Sequence, residues 1–365
     1  MLQGIRLFLL ALCVAGSVAS ALAQTPAPTS PPPAAPTPTP TAESLINAMS
    51  GADLQQALQL LKSNYIDAEA LNETEMNRAL LSGLLQRLGP GVMILPERPA
   101  DEPGSGNTLF AEILDGHIGY VRVGELNAAN LKALDTNLQN FAAKKVDALV
   151  LDLRASTRAS DFALAADFAK RFVAKGKPLF TVRKSGSKQE RAFTSDAEPA
   201  YRGLMLVLAD GDTSGAAEAL AGVLRVHNKA LIIGQPTAGR AVEYSELPLN
   251  SGRILRIAAA EAVLPEGRAL FPGGLKPDLA VEMPPADKRL VFQQAAEKGM
   301  GPFIHEAERP HLNEAALIAG RNPEIDAMEA AQRARNRAAE KPATRDPVLQ
   351  RAMDVVTSLS IYQQR

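Results

Sequence analysis

The spacing of apolar residues changes along the chain and divides it into segments. Between residues 43 and 88 the leucines recur every three to four positions, as in amphipathic helices; they are Leu54, Leu58, Leu61, Leu80, Leu81, Leu84, Leu85 and Leu88. From residue 118 onward, short continuous apolar runs alternate with helical segments. Continuous apolar strands separated by helices predict an α/β domain whose sheet is buried on both faces.

The central segment predicts a definite order of elements. We expect strands at residues 118–123, 148–153, 179–183, 204–208 and 230–233, and helices at 128–143, 162–173 and 214–226. Residues 243–249 and 253–258 read as a hairpin around Asn250-Ser251-Gly252. In the N-terminal helical region, Asp53 and either Asn72 or Thr74 are the expected helix caps.

The N-terminal end has a different composition from this centre. Residues 1–23 contain one early Arg6, an apolar run and small residues ending at Ala23, which is typical of a secretory signal peptide. The run is shorter than the roughly 20 apolar residues that span a bilayer. An uncleaved membrane anchor is the alternative. We therefore expect export to the periplasm or beyond, with membrane contact only through this segment if it is uncleaved.

These patterns predict six segments along the chain. After the signal peptide (1–23) come a Pro-rich linker (24–42), an N-terminal helical subdomain (43–96) and a loop (97–107). An α/β core (108–284) and a C-terminal helical tail (285–365) complete the chain.

Charge and cysteine content exclude several classes of function. The 39 basic and 40 acidic residues give a net charge of -1, which supplies no overall field for nucleic acid. Cys13 lies in the signal segment, so the exported chain would have no disulfide and no cysteine nucleophile. The histidines lack metal-ligand spacing, and we expect neither a metal nor a cofactor; they are His117, His227, His305 and His311.

Several short motifs, in order, resemble those of the C-terminal processing, or tail-specific, serine proteases. They are residues 118–123, the Asp-Leu-Arg that ends at Arg154, and residues 213–218, 227–230, 232–239, 264–268 and 274–278. The resemblance extends over roughly residues 45 to 360 and implies a crotonase-like core of repeated β-β-α units, of the ClpP type. It also implies serine-type peptidase chemistry, carried by a Ser–Lys dyad.

The chain departs from the family pattern at the positions that the resemblance assigns to catalysis. A PDZ domain is absent, with only the loop 97–107 in its place. The nucleophile position, three residues before Glu218, is Gly215, and the base position, 22 residues after Glu218, is Arg240. Glycine has no oxygen to attack with, and a guanidinium stays protonated and has no acceptor lone pair.

Two further family positions have changed in the same way. The Gly pair that helps to form the oxyanion hole is replaced by Arg158 and Ala159, and the Gln four residues after the dyad Lys is replaced by Tyr244. Losing one oxyanion donor costs roughly a hundred- to a thousand-fold in turnover. The resemblance therefore favours a pseudoprotease, an envelope protein that binds peptides or protein C-termini or serves as a scaffold, with Arg158, Arg240 and Tyr244 as its binding residues.

Three alternatives accompany this interpretation. The chain could be an active peptidase that uses Ser214 or Thr213 with a displaced base, although Ser214 is also expected to cap the following helix. The two arginines could simply pair with acids such as Glu243 or Asp161. Acyl-CoA chemistry, as in cytosolic crotonases, is disfavoured by the signal segment. The sequence allows a homo-oligomer, and it favours an internal ion pair for Asp152 and Arg154 over substrate positioning.

Overall fold

The computed structural model describes residues 41–67, 69–96, 108–157, 160–184, 186, 190–228, 230–304 and 344–363. These residues fall into two compact units, which divide between Met76 and Asn77. The signal segment, nearly all of the Pro-rich linker, the loop 97–107 and part of the C-terminal tail, residues 305–343, lie outside the described residues.

Three helices follow the linker, and none of them buries a residue. They are α1 (Ala42–Ala48), α2 (Gly51–Asn64) and α3 (Glu73–Leu88), with a short 3-10 turn at Glu69–Leu71. The predicted cap Asp53 is wrong in position, because Ser50 is the N-cap of α2 and Asp53 closes the capping box three residues later. Asn72 accepts from the backbone N–H of Glu75 at 3.0 Å, so Asn72 rather than Thr74 caps α3.

The remaining elements alternate strands with helices. The strands are β1 (Val92–Leu95), β2 (Phe110–Leu114), β3 (Ile118–Arg122), β4 (Ala148–Asp152), β5 (Pro178–Lys184), β6 (Glu190–Thr194), β7 (Leu204–Ala209), β8 (Leu231–Gly234), β9 (Val242–Pro248), β10 (Ile254–Val263) and β11 (Leu279–Ala280). The helices are α4 (Ala128–Ala143), α5 (Phe162–Lys170), α6 (Ala216–Asn228), α7 (Pro285–Lys298) and α8 (Pro347–Gln363). The predicted central strands and helices are confirmed, with small shifts at their ends.

One six-stranded sheet forms the centre of the core, in the order β11-β8-β7-β4-β3-β2. Its strands are parallel except for β2, which runs antiparallel to β3. Leu149 and Leu151 of β4 belong to an apolar cluster that includes residues of α4, α5 and α6. Ala148 and Val150 belong to a second cluster that includes residues of α7 and α8. Both faces of the sheet are therefore covered, as the sequence predicts.

A second, antiparallel sheet contains β1, β5, β6, β9 and β10. The long strand β10 pairs with β9, β1 and β5. Residues 92–95, which the sequence analysis placed in the helical subdomain, thus form a strand of this sheet. Strands β2, β6 and β11 were also not predicted. The helices of the predicted tail are part of the core, since Val348, Leu349 and Met353 of α8 are buried in the second cluster.

Candidate functional site

The turn before α6 is tied to the residues that follow β4. The Thr213 hydroxyl donates to the backbone carbonyl of Leu153 at 3.1 Å, and the N–H of Ser214 donates to the carbonyl of Ser156 at 3.3 Å. Strands β4 and β7 are parallel neighbours, so the loops after them leave the same edge of the sheet. This edge is where ligands bind in open α/β sheets.

Glu218, at the start of α6, joins this turn to the loop after β8. Its Oε1 accepts from the backbone N–H groups of Gly215 at 3.0 Å and Arg240 at 2.7 Å. Its Oε2 accepts from the Thr237 hydroxyl at 2.5 Å and the N–H of Gly239 at 2.8 Å. Residues 215 and 240 are therefore neighbours, as the resemblance implies for the nucleophile and base positions.

Burial and hydrogen bonding act on Glu218 in opposite directions. Its side chain is fully buried, and this burial raises the pKa of the carboxyl above its usual value. The bonds from Thr237, Arg240, Gly239 and Gly215 favour the ionised form and offset part of that rise.

A cavity of about 860 Å³ opens beside this junction. Its walls come from the turn before α6, the loop after β8 and the second sheet. They include Ser214, Gly215, Arg240, Tyr244, Met93 and Arg256. Three of the predicted site residues, together with Ser214, thus line one cavity. Arg158 and Ala159 lie outside the described residues.

The Ser214 hydroxyl is not arranged as a helix cap or as an activated nucleophile. Its Oγ donates to the backbone carbonyl of Thr157 at 2.6 Å. The backbone N–H of Gly215, the residue just before α6, donates to the Glu218 carboxylate. The predicted N-cap role is therefore wrong, because a carbonyl from a distant loop holds the hydroxyl. The proton of Ser214 points to that carbonyl rather than to a basic nitrogen.

Arg240 has no acidic partner among the described residues, and its side chain is exposed at the cavity. The two acids proposed as its alternative partners are engaged elsewhere. Glu243 pairs with Arg191, and Asp161 accepts from the N–H groups at the start of α5. The Arg240 guanidinium is thus available for an anionic ligand.

Tyr244 contributes both its ring and its hydroxyl to this region. The hydroxyl donates to the carbonyl of Pro90 at 2.8 Å, and the Arg256 guanidinium lies 5.7 Å from the centre of the ring. Partial burial raises the pKa of Tyr244. Met93 and Arg256 were not predicted from the sequence; they face each other across the β1–β10 pair, and both line the cavity.

Asp152 and Arg154 form the expected internal ion pair rather than part of the cavity wall. The Arg154 guanidinium donates to Asp152 at 2.6 Å and to Asp346, before α8, at 2.7 Å. All three side chains are at most 1% exposed. Their role is to join β4 to the last helix.

Metal-ligand groups and membrane-spanning helices are both absent from the ranges that the structure describes. Within them, no three His, Cys, Asp or Glu side chains group as ligands for a metal ion. None of the described helices is both long enough and apolar enough to cross a membrane.

The fold is an α/β fold of the crotonase/ClpP type, in which the turn before α6 and the loop after β8 meet at Glu218 on one edge of the sheet. Residues 117–281 match the family description "Peptidase family S41". Residues 117–281 thus form a peptidase S41 domain, which makes up a little under half of the chain.

Individual relatives share the core at modest identity. The chain is 26% identical over 167 residues to the carboxyl-terminal-processing protease of Synechocystis sp., covering 46% of this chain and 38% of that protein. It is 29% identical over 183 residues to the carboxy-terminal-processing protease of Bartonella bacilliformis, covering 48% of this chain and 41% of that one. The chain thus spans about two fifths of the length of either relative.

The photosystem II D1 C-terminal processing protease is a solved structure to which the chain is similar. The match has a TM-score of 0.41 and 22% identity, and it covers 52% of this chain and 47% of that one.

Proposed function

We propose that this chain is a pseudoprotease of the cell envelope, which binds the C-terminal end of a peptide or protein in the cavity and does not cleave it. The observation that carries the proposal is that Gly215 and Arg240 meet at one carboxylate oxygen beside the cavity. These are the positions at which the family places its nucleophile and its base. Export through residues 1–23 is part of the same proposal.

The residues at the nucleophile and base positions lack the groups that cleavage needs. Gly215 offers no side-chain oxygen, and a guanidinium such as that of Arg240 has no lone pair with which to accept a proton. Ser214 lies next to Gly215, but its hydroxyl is bonded to a carbonyl, which cannot act as a general base for it. Loss of the nucleophile in a serine protease costs on the order of a million-fold in turnover.

The charge and the lining of the cavity favour a carboxylate ligand. Arg240 presents a guanidinium without an acidic partner among the described residues at the cavity. A guanidinium can hold a carboxylate through two parallel N–H···O bonds. The nearby Tyr244 ring and Met93 give apolar surface for the side chain of a terminal residue.

A labelling experiment tests the loss of catalysis. The purified chain and its Ser214→Ala variant would be incubated with a fluorophosphonate probe and with unfolded, C-terminally labelled peptides. We expect no labelling and no cleavage by either protein. Labelling of the natural chain that disappears in Ser214→Ala would instead establish an active peptidase with a displaced nucleophile.

A titration tests binding separately. Peptides with free and with amidated C-termini would be titrated into the natural chain, Arg240→Ala and the surface control Arg202→Ala. We expect the free carboxylate to bind at least about tenfold more tightly than the amide, and this preference to disappear only in Arg240→Ala. Equal affinity for the two peptide forms in the natural chain would remove the carboxylate ligand from the proposal.

A further inference from the structure

Strand β9 runs along one wall of the cavity, at an edge of the second sheet. Among the described strands, only β10 pairs with it. Arg240, Val242, Tyr244 and Glu246 line the cavity, and residues 245–248 are exposed. The outer edge of such a strand carries a row of backbone N–H and C=O groups, to which another extended chain can add.

The hydrogen bonds at the two ends of β9 show which of its residues turn their backbone outward. Ala262 donates its N–H to the carbonyl of Ala241 at 2.8 Å. Leu249 donates its N–H to the carbonyl of Arg253, also at 2.8 Å. Residues 241 and 249 thus point their backbone groups toward the β10 side, and along an antiparallel strand this direction alternates. The extra residue of the bulge, Ala259, lies in β10, so the alternation along β9 is unbroken. The even-numbered residues of β9 therefore turn their backbone groups away from β10.

Two of these outward positions fit an edge that a ligand can use. Pro248 stands at one of them, and a strand tolerates proline where the missing N–H would have pointed away from its partner. Tyr244 stands at another. Among the described residues, no side chain and no turn bonds to the backbone N–H or C=O of Tyr244. Its two backbone groups are therefore open to a ligand beside the cavity, whereas pairing by N–H donors ends at Pro248.

We propose that the bound peptide adds to β9 as an antiparallel strand, with its C-terminal carboxylate at Arg240. This mode of binding rests on the proposed function and states how the main chain of the ligand is held. Arg240 lies two residues before β9 begins, so a peptide that meets it with the last carboxylate and lies along β9 runs in the opposite direction. The last residue of the peptide then lies opposite Val242 and the third from the end opposite Tyr244. The ligand is an unfolded chain end of about five residues rather than a folded surface.

N-methylation of single peptide amides tests which N–H groups pair with β9. The probe is a fluorescein-labelled peptide with the free C-terminal sequence Val-Ser-Val-Ser-Val, whose valines face the cavity in this register. Counted from the C-terminus, the N–H groups of residues one and three point to β9, and those of residues two and four point away. We expect methylation at residue one or three to weaken binding at least about tenfold in fluorescence anisotropy. Methylation at residue two or four should change it less than about twofold.

A matched pair of protein variants tests the same pairing from the side of β9. Tyr244→Pro removes the outward N–H, whereas Tyr244→Val removes the same side chain and keeps that N–H. We expect Tyr244→Pro to bind the unmethylated peptide about tenfold more weakly than Tyr244→Val. Thermal unfolding followed by circular dichroism shows whether both variants fold, and the methylation series on the natural chain decides the proposal in either case.

The possible results separate the strand pairing from the proposed function. If the free peptide binds more tightly than its amide but loses the same affinity at every methylated position, the strand pairing is overturned and carboxylate binding stands. A reversed alternation, in which residues two and four are the sensitive ones, also overturns the strand pairing. If the free peptide does not bind the natural chain at all, the strand pairing and the proposed function both fail.

Discussion

At the scale of single residues, Glu218 organises the cavity wall. Its two carboxylate oxygens receive backbone N–H groups from the turn before α6 and from the loop after β8. These donors are buried, and a buried N–H without an acceptor costs about 1–3 kcal/mol. Glu218 therefore keeps positions 215 and 240 adjacent whether or not any catalysis takes place there.

The substitution Glu218→Gln is expected to destabilise the fold, and by an amount that depends on pH. A protonated carboxyl keeps a lone pair on both oxygens, whereas the amide nitrogen of Gln has none and leaves one backbone N–H without an acceptor. We expect the variant to lose about 1–3 kcal/mol of unfolding free energy in mild acid. The measurement is urea unfolding of both proteins across the acid-to-neutral range.

The pH dependence follows from the direction of the pKa shift. Burial raises the pKa of Glu218 in the folded state, so folding favours the protonated carboxyl. Its stabilising contribution is present at low pH and is lost as pH rises through the raised pKa. The Gln side chain does not titrate. The difference in unfolding free energy between the natural chain and Glu218→Gln should therefore become smaller toward neutral pH. If this difference in unfolding free energy stayed constant with pH, the raised pKa of Glu218 would be contradicted.

At the scale of elements, the accuracy of the sequence prediction depended on burial. Strand β4 was predicted to within one residue because four of its five residues are apolar and all five are buried. Strands β1 and β6 were missed because β1 is only half-buried and β6 is largely exposed. They are strands because β10 and β5 pair with them, and that pairing is not visible in a local pattern.

The predicted site residues lie in local sequence motifs, whereas the missed ones depend on strand pairing. Gly215 and Arg240 were found because short motifs mark the turn and the loop that carry them. Met93 lies on β1 and Arg256 on β10, two paired strands of the second sheet. Only this pairing brings the two side chains together at the cavity. The cap predicted for Ser214 was wrong because its actual partner, the Thr157 carbonyl, is 57 residues away.

The loop after β8 depends on Gly239, and a matched pair of substitutions should show this. Gly239 has φ +65°, and a Cβ there would lie 2.0 Å from the carbonyl oxygen of Pro272. Gly267 has φ +79°, but a Cβ there would meet nothing within 4 Å. Both alanine variants incur the left-handed backbone cost of about 1–2 kcal/mol. Only Gly239→Ala must also move a backbone carbonyl.

We therefore expect Gly239→Ala to lose more than about 3 kcal/mol of unfolding free energy and Gly267→Ala only about 1 kcal/mol. Urea denaturation of the two variants beside the natural chain gives both values. Similar losses in the two variants would show that the loop can move away from Pro272, and that its contact does not hold Arg240 in place.

At the scale of the whole molecule, buried ion pairs attach the C-terminal helices to the central sheet. Arg154, just after β4, contacts Asp346, which also accepts the N–H groups of Val348 and Leu349 at the start of α8. Lys288 of α7 lies 2.5 Å from Asp210, just after β7. The second face of the sheet is thus closed by helices far away in sequence, which are fixed at the strand ends beside the cavity edge.

The Asp152 carboxylate is the element of this network whose contribution should depend on pH. Burial alone pushes its pKa up, but Arg154 and the Tyr120 hydroxyl outweigh burial, and the pKa of Asp152 is held below its usual value. A carboxylate with a lowered folded-state pKa stabilises the fold above its usual pKa, and this stabilisation is lost as pH falls through the lowered value. Acid should therefore loosen the attachment of α8 to β4.

The variant Asp152→Asn removes this titration together with one partner of Arg154. At neutral pH we expect it to lose about 3 kcal/mol of unfolding free energy, because Arg154 is then left with Asp346 as its only carboxylate. As pH falls, the natural chain loses the same interaction, so the thermal midpoints of the two proteins should converge. Asp354→Asn, an exposed change on α8, should follow the natural chain at every pH. If the thermal midpoints of the natural chain and Asp152→Asn still differed in acid, the ion pair would not be the interaction that attaches α8 to the sheet. Apolar packing of α8 would then have to account for that attachment.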